Sequence, residues 1–172
     1  MVPIIGLAGA QGSGKSTVAR FLVENYGYSY EPFAKPLKRM MEAFGVPPKF
    51  LYGTQEEKEA PLDILCGKSA RHAMRTLGTE WGRQTIGDLV WVHHWKRRCW
   101  GRLCVADDVR FPNEVDAIHE LNGIVVRIEG RGEEFGDHES DRASELKVDA
   151  VIYNDGTLQE LYDKVLKAVG AT

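Results

Sequence analysis

Positions 9–17 read GAQGSGKST, a glycine-rich run that ends in a lysine followed by two hydroxyl residues. The run fits the pattern G-x-x-x-x-G-K-[ST], in which glycines allow a backbone path that points successive N–H groups inward, onto a triphosphate at a helix N-terminus. The Lys15 ammonium then reaches the β- and γ-phosphates, and the Ser16 hydroxyl ligates Mg²⁺. The run therefore predicts binding of ATP and Mg²⁺ by the residues that share this loop: Gly9, Gly12, Ser13, Gly14, Lys15, Ser16 and Thr17.

The residues on either side of this loop are expected to form a strand and a helix that hold it in place. Residues 2–8 form a short apolar run that can be a buried strand. Behind the loop, apolar residues recur at helical spacing, at Val18, Ala19, Leu22 and Val23. A strand, a glycine loop and a helix therefore follow one another in the order that this chemistry requires.

A second candidate for phosphate chemistry is a pair of aspartates, Asp107 and Asp108, which directly follows the apolar run 103–106. An acidic residue at the end of a buried strand completes a phosphate-loop site, because its carboxylate holds Mg²⁺ directly or through water. Side chains alternate across a strand, so one of the two aspartates is expected to face the loop. Arg110, shortly after them, can clamp a phosphate with its planar fork or form a surface salt bridge.

Apolar runs and helical patterns alternate along the chain. Strands are predicted at 2–8, 28–33, 103–106, 124–128 and 151–153, helices at 15–24, 36–44, 68–81, 89–98, 113–121 and 158–166, and a charged loop at 53–67. This alternation predicts a three-layer α/β fold of the P-loop NTPase type, a doubly wound, five-stranded parallel sheet with helices on both faces. We expect the whole chain, 1–172, to be a single domain.

Composition narrows the function classes. The 172 residues are 43% hydrophobic and carry 22 basic against 25 acidic side chains, a net charge of −3. This charge argues against bulk neutralisation of a nucleic-acid backbone, so no stable nucleic-acid binding is expected. The three cysteines have no disulfide or metal spacing. Since no apolar run has membrane-spanning length, we expect a cytoplasmic protein that does not bind membranes.

Four further segments, taken in order, resemble the phage-type deoxynucleoside monophosphate kinases: FAKPLK at 33–38, LGTEWGR at 77–83, DVRFPNE at 108–114 and NDGTL at 154–158. The resemblance covers nearly the full chain, and DVRFPNE and LGTEWGR are far more specific than the phosphate loop. It implies an adenylate-kinase-like fold that transfers the γ-phosphoryl group of ATP, with Mg²⁺, to a deoxynucleoside monophosphate. It also implies the host cytoplasm as the location if a phage encodes the chain.

The same resemblance assigns individual residues. It favours Asp108 over Asp107 as the metal ligand, and Arg71 matches the family arginine that precedes LGTE. The family commonly has glutamine where this chain has Arg75, so the role of Arg75 stays open. An acceptor-binding region is implied at 34–100.

Basic and aromatic residues of this region are the candidates for binding the acceptor. The cations would bind its phosphate, or they are ordinary helix-surface cations. The tryptophans would stack on its base, or they belong to the core, and the glutamate would bond a base edge or a sugar hydroxyl. The candidate substrate-binding residues are Lys35, Arg71, Glu80, Trp81, Arg83 and Trp91, together with Arg110.

Residues 129–147 have the composition of a lid, rich in Gly, Asp, Glu and Arg, whose cations would close over the phosphates and exclude water. Arg127 and Arg131 are the nearest cations, and we predict a catalytic role for Arg131, with a plain solvated loop as the alternative. Asn154 follows the last predicted strand, where this fold places a loop against the adenine. A simple strand-to-helix turn would have the same sequence.

Three functions are compatible with this inventory. A monophosphate acceptor is already anionic at neutral pH and needs no general base, so Lys15, Mg²⁺ and arginines suffice. A kinase of a hydroxyl group, on a nucleoside, a coenzyme precursor or a modified DNA base, would need a carboxylate base such as Asp107 or Asp108. The third is a switch that hydrolyses nucleotide and signals to a partner. The sequence leaves open the base accepted, the preference for deoxyribose, and the oligomeric state, a homodimer included.

Overall fold

A computed structural model describes residues 2–130 and 146–170 of the chain. The strands are β1 Ile4–Ala8, β2 Ser29–Tyr30, β3 Pro61–Leu62, β4 Lys68–Ser69, β5 Cys104–Ala106, β6 Ile124–Glu129 and β7 Ala150–Tyr153. The α-helices are α1 Lys15–Tyr26, α2 Lys35–Ala43, α3 Lys49–Tyr52, α4 Gln55–Glu59, α5 Ala70–Thr76, α6 Val90–Cys99, α7 Pro112–Glu120 and α8 Leu158–Ala168. A 3₁₀ turn spans Asp63–Leu65, and a π-helix spans Leu77–Ile86.

The backbone forms two compact units. The first consists of Met1–Phe33 and Val92–Thr172, and the second is Ala34–Trp91. The second unit falls within the acceptor-binding region predicted at 34–100. Among the residues that the structure describes, no helix is long and apolar enough to cross a membrane.

The first unit is built on a parallel sheet with the strand order β2-β5-β1-β6-β7. β1 pairs in parallel with β5 on one side and with β6 on the other, and β2 and β7 extend the sheet at its two edges. From β1 the chain builds one half of the sheet and then the other, so the topological switch point lies at β1. In sheets of this class, ligands bind beyond the carboxyl ends of the strands at that point.

Alternation along β1 divides the core of the first unit between two faces. Ile4 and Ala8 belong to one buried cluster, and Ile5 and Leu7 belong to the other. Residues of α6 and α7 complete the first cluster: Val92, Trp95, Cys99, Val115, Ala117 and Ile118. Residues of α1 and α8 complete the second: Val18, Ala19, Leu22, Leu161 and Val165. Helices therefore cover both faces, which confirms the predicted doubly wound sheet of 5 strands.

The second unit has a small core of Val46, Leu51 and Ala70. The loop predicted at 53–67 is wrong, because this segment contains α4, the 3₁₀ turn and a two-stranded antiparallel hairpin of β3 and β4. A capping box begins α4: Glu57 N–H donates to Thr54 Oγ1 at 3.2 Å, and Thr54 N–H donates to Glu57 Oε2 at 2.8 Å. The T-x-x-E spacing was the sequence signal for this helix.

The helix predicted at 68–81 is three elements. Its first residues form β4, and Ser69 Oγ then caps α5 by accepting the N–H of His72 at 3.1 Å. After α5 the main chain changes to π-helical pairing, in which Gly87 N–H donates to Gly82 O at 3.0 Å. Apolar spacing alone does not distinguish these two helix types over so short a segment.

Candidate active site

The phosphate loop follows β1 and has backbone angles that favour glycine. Gly9 has φ 136°, and a side chain there would collide with the carbonyl oxygen of Ile128. Gly14 has φ 111°, and a Cβ there would lie 2.8 Å from Asn154 Nδ2. Both glycines are therefore required by the backbone path and by the atoms packed against it.

Helix α1 begins directly after this loop without a side-chain cap at Gly14. Thr54, Ser69 and Thr157 cap α4, α5 and α8, whereas α2 and α3 resemble α1 in having no side-chain cap. The first N–H groups of a helix have no intrahelical acceptor, and the helix dipole makes this end attractive to anions. The start of α1 can therefore bind phosphate oxygens, as the motif predicts.

Lys15 is folded over the loop. Its Nζ donates to Gly9 O at 2.9 Å, to Ala10 O at 2.5 Å and to Ser13 Oγ at 3.4 Å. Burial, and next the neighbouring Arg110 guanidinium, lower the pKa of Lys15 to about 8. The carboxylates of Asp107 and Asp108 oppose this shift of the pKa. An anion bound between Lys15 and Arg110 would relieve the repulsion between these two cations.

Asp107 is buried, with 8% of its surface exposed, and joins the end of β5 to the phosphate loop. Ser16 Oγ donates to its Oδ2 at 2.6 Å, and Tyr30 Oη donates to its Oδ1 at 2.6 Å. A hydroxyl and a carboxylate are hard oxygen donors, the ligands that Mg²⁺ prefers. The pair Ser16 and Asp107 therefore fits Mg²⁺ in its chemistry.

Asp108, the predicted metal ligand, faces a different partner. Its Oδ1 accepts the N–H of Phe33 at 2.8 Å. The two aspartates diverge because successive side chains point to opposite sides of an extended chain. The structure thus brings Asp107 to Ser16, and the choice of Asp108 by resemblance stays a prediction that this geometry does not favour.

Asn154, predicted to bind the nucleotide, supports the loop from the end of β7. Its Nδ2 donates to Ser13 O at 2.9 Å, and its N–H donates to Glu129 O at 2.7 Å. Only 8% of the residue is exposed. This side chain fixes the loop that would contact the phosphates, and a contact with adenine stays a prediction.

The three arginines of the first unit that the sequence marks as candidates for binding phosphate are Arg110, Arg127 and Arg131. Arg110 is exposed, while its N–H donates to Glu114 Oε2 at 2.7 Å. Arg127 Nε donates to Glu129 Oε1 at 2.6 Å, and its Nη1 donates to Leu146 O at 3.1 Å. Arg131 and most of the predicted lid at 129–147 lie outside the described residues.

Two cations of the second unit have carboxylate partners. Arg71 pairs with Glu59 at 2.8 Å and donates to Gln55 Oε1 at 2.7 Å. Arg83 is 8% exposed, and its Nη1 donates to both the Asp88 carbonyl, at 3.0 Å, and the Asp88 carboxylate, at 3.2 Å. Arg83 therefore holds the end of the π-helix, which is a structural role. Lys35 is the first residue of α2.

The LGTEWGR segment forms most of the π-helix, a rare structure that is frequent at functional sites. Trp91 is 7% exposed, and its Nε1 donates to Gly78 O at 2.8 Å. Its indole fills the space that a Cβ at Gly82 would need. Trp81 is 43% exposed, and Glu80 is exposed beside it. Part of Trp81 is thus accessible to a ligand, whereas the Trp91 ring is packed inside the unit.

Sequence reasoning missed two residues of the first unit. Tyr30 contacts Asp107, and the carboxylate of Glu114, 3% exposed, accepts the N–H groups of Arg110 and Phe111. Glu114 is the third residue of α7, the position from which a glutamate can cap a helix, but Phe111 stands where the capping-box pattern has Ser or Thr, so the pattern was not visible. No signal marked Tyr30 either, because its contact joins separate strands.

The chain is similar to proteins of known name along nearly its whole length. A protein of Acanthamoeba polyphaga mimivirus, provisionally named deoxynucleotide monophosphate kinase, is 34% identical over 186 residues, which cover 96% of this chain and 95% of that protein. No family model matches the sequence.

Solved structures are similar in fold. A shikimate kinase from Aquifex aeolicus matches with a TM-score of 0.58 and 12% identity, covering 97% of this chain and 96% of its own. A shikimate kinase from Acinetobacter baumannii, in complex with shikimate, matches with a TM-score of 0.51 and 16% identity, covering 99% of this chain and 94% of its own. At these identities the two matches show the fold alone, which is that of a P-loop kinase.

Proposed function

Because this chain belongs to the deoxynucleotide monophosphate kinase family, we propose that it transfers the γ-phosphoryl group of ATP to a deoxynucleoside monophosphate and forms the diphosphate. The observation that carries the proposal is the phosphate loop at the end of β1, where Lys15, Ser16 and Asp107 meet. The viral relative, which matches over nearly the full chain, supports the acceptor class.

The proposed chemistry depends on positioning and charge. The acceptor's phosphate oxygen is already anionic at neutral pH, so no general base is required. Lys15 and the start of α1 would hold the triphosphate, and Arg110 would neutralise charge that spreads over the transferring group. Asn154 and the two loop glycines would keep the N–H groups aligned, so that little reorganisation is needed during transfer.

We propose that Ser16 and Asp107 would hold Mg²⁺. When bound, the ion would neutralise phosphate charge at the β- and γ-oxygens. The protein's part is to present two oxygens from α1 and β5 in a fixed relation, and the 2.6 Å contact between them supports this assignment. Asp108 is the competing ligand, and a direct comparison of the two aspartates decides between them.

For the acceptor, we propose residues of the second unit. Arg71 and Lys35 would bind the phosphate of the monophosphate. Trp81 and Glu80 would contact its nucleoside. The exposed indole of Trp81 supports this role. Arg83 would act indirectly, because its side chain holds the π-helix that carries Trp81 and Glu80.

A panel of acceptors tests the function. The purified protein, with ATP labelled at the γ-phosphate and Mg²⁺, is incubated with the common deoxynucleoside monophosphates, their ribose counterparts, modified deoxynucleotides and a hydroxymethylated DNA oligomer, and the products are separated by chromatography. We expect labelled diphosphate from at least one deoxynucleotide without any nucleic acid or protein partner. Label only in the oligomer would establish a hydroxyl kinase instead, and free phosphate alone would establish a nucleotide-hydrolysing switch.

A matched pair of variants tests the metal ligand. Asp107→Asn and Asp108→Asn each remove one charge and keep the side-chain shape. We expect Asp107→Asn to raise the Mg²⁺ concentration for half-maximal rate about 10-fold or more, because the loss of a ligand should cost at least as much as the loss of a ligand's outer partner, for which about 10- to 100-fold is usual. Asp108→Asn should change it much less. The opposite order in Mg²⁺ titrations would move the site to Asp108.

A further inference from the structure

We propose that Tyr30 is a positioning residue for phosphoryl transfer, whose hydroxyl fixes the Asp107 carboxylate in the orientation that faces Ser16. The inference rests on the proposed function, because it takes Ser16 and Asp107 as the oxygen donors for Mg²⁺. Tyr30 lies outside the sequence segments that identify the family, so its role follows only from where the fold places it.

Both carboxylate oxygens of Asp107 are held. Tyr30 Oη donates to Oδ1 at 2.6 Å, and Ser16 Oγ donates to Oδ2 at 2.6 Å. The outer torsion of an aspartate has a broad, roughly two-fold energy profile, so one hydrogen bond leaves the carboxylate free to swing. Two bonds on opposite oxygens fix its plane. If Ser16 turns its oxygen to a metal ion, the bond from Tyr30 is the one that still orients Asp107.

The main chain on either side of Tyr30 is tied to the strand that carries the aspartates. Tyr30 lies opposite Val105 in the parallel ladder between β2 and β5, and Glu31 N–H donates to Val105 O at 2.9 Å. Phe33 N–H donates to Asp108 Oδ1 at 2.8 Å. The Tyr30 hydroxyl and the Asp107 carboxylate therefore belong to one hydrogen-bonded framework.

A buried ion pair holds the same segment to α6. Arg98 Nη1 donates to Glu31 Oε2 at 2.8 Å, and its Nη2 donates to Pro32 O at 2.8 Å. The Glu31 side chain is 7% exposed. The main-chain carbonyl of Glu31 accepts a hydrogen bond from Trp95 Nε1 at 2.7 Å. Burying a charge pair has a large desolvation cost, so such a pair is weak evidence for stability. What it does provide is a single geometry for the residues beside Tyr30.

The test separates positioning from packing by measuring binding rather than turnover. Calorimetry gives the Kd of a non-hydrolysable ATP analogue with Mg²⁺ and with a chelator. The ratio of the Kd in chelator to the Kd with Mg²⁺ reports the metal's contribution to binding. The variants are Tyr30→Phe, Asp107→Asn and the double variant. Tyr28→Phe is the matched control, because the Tyr28 hydroxyl, close by in the chain, donates to the Val2 carbonyl at 2.5 Å instead.

We expect Tyr30→Phe to reduce the metal's contribution about 10-fold, the lower end of the range for lost outer partners of a metal ligand. Its Kd in chelator should stay near wild type, and its thermal midpoint should fall no further than that of Tyr28→Phe, because each variant loses one hydroxyl hydrogen bond. Tyr28→Phe should change the midpoint and leave the ratio unchanged. The double variant should lose no more than Asp107→Asn, because Tyr30 acts through that carboxylate.

Two outcomes overturn the proposal. If Asp107→Asn reduces the ratio and Tyr30→Phe does not, Tyr30 has no positioning role, while the metal assignment stands. If neither variant reduces it, Asp107 does not face the metal, and Tyr30 has no ligand to position. The acceptor panel is independent of both results, so a failure of the proposed function would be recognised separately.

Discussion

The contact between Ser16 and Asp107 in the first unit spans 91 residues of sequence, whereas that between Arg83 and Asp88 in the second unit spans 5. The first contact exists because a parallel sheet brings the ends of separate strands together. The second exists because the Arg83 side chain reaches a residue just beyond the end of its own π-helix. Substitutions beyond the carboxyl ends of the strands should therefore affect chemistry and spare the fold. Substitutions in the π-helical segment should affect both.

The largest effect should come from Lys15→Ala. Removal of a charge that stabilises the transferring group should lower kcat by roughly 10²–10³, the scale seen when an oxyanion-stabilising donor is lost. The thermal midpoint without ligand should hardly fall, because burial already disfavours the charged form of Lys15 and lowers its pKa to about 8. Steady-state kinetics and thermal unfolding measure the two quantities.

Lys164→Ala is the control for this prediction. Lys164 Nζ also donates to a main-chain carbonyl, that of Tyr153, at 2.8 Å, and to Asp155 Oδ1 at 2.8 Å. It lies on α8 and carries none of the proposed chemistry, so its removal should leave kcat near wild type. A Lys15 variant with normal turnover would refute the assignment of the loop as catalytic.

A glycine pair sharpens the comparison in the second unit. A Cβ at Gly82 would lie 2.5 Å from Trp91 Cζ2 and Nε1, inside a packed indole, so Gly82→Ala should destabilise the protein by about 1–3 kcal/mol through overpacking. At Gly78 the neighbour is the flexible end of Leu37, 3.1 Å away, so the strain is smaller. A gain of about 1 kcal/mol in helix propensity should offset it there.

Kinetics on the same two variants test whether fold and acceptor binding are coupled. Gly82→Ala should raise KM for the deoxynucleotide and leave the Kd of an ATP analogue unchanged, because only the segment with Trp81 and Glu80 is disturbed. Gly78→Ala should change both values little. If Gly82→Ala weakened the ATP analogue equally, the two units would not divide the substrates as proposed.

Sequence alone was sufficient for the fold of the first unit. The strands that surround the phosphate loop are short apolar runs, and their alternation with amphipathic helices predicts a parallel sheet with helices on both faces. The loop residues themselves are predictable because their chemistry dictates their spacing. The strand before Asp107 was also predicted, because an acidic pair that follows an apolar run is the pattern expected beside a phosphate loop.

The parts that sequence reasoning missed depend on side-chain geometry. Whether Asp107 or Asp108 faces the loop depends on the register and twist of one strand end, which composition does not encode. The contact of Tyr30 with Asp107 depends on the pairing of β2 with β5. Arg83 was predicted to bind the acceptor, with an ordinary helix-surface cation as the alternative, but π-helical pairing changes which residues share a face, and Arg83 is buried.

A smaller effect is expected from Arg71→Lys. Lysine keeps the charge and loses the planar fork that matches a phosphate. We expect about a 10-fold rise in KM for the monophosphate, or roughly 1.4 kcal/mol, with KM for ATP unchanged. The ion pair with Glu59 joins side chains that are 28% and 51% exposed, so its loss should cost little stability. Equal losses on both substrates would remove Arg71 from the acceptor site.

The smallest effect concerns Tyr28, a long-range contact of the first unit that lies outside the proposed chemistry. Burial raises the pKa of Tyr28 to about 12. The folded protein therefore keeps this proton up to about that pH, while the unfolded chain, with the ordinary tyrosine pKa near 10, releases it earlier. The stabilisation from Tyr28 is complete below pH ~10 and is lost as the pH rises through ~12.

Unfolding in denaturant at several alkaline pH values measures this dependence. Tyr28→Phe should have a flatter stability profile between pH ~10 and ~12 than wild type, because phenylalanine has no proton to release. Tyr153→Phe, at a tyrosine that is 56% exposed, is the control and should follow the wild-type profile. A Tyr28→Phe profile as steep as wild type would show that other groups govern alkaline unfolding.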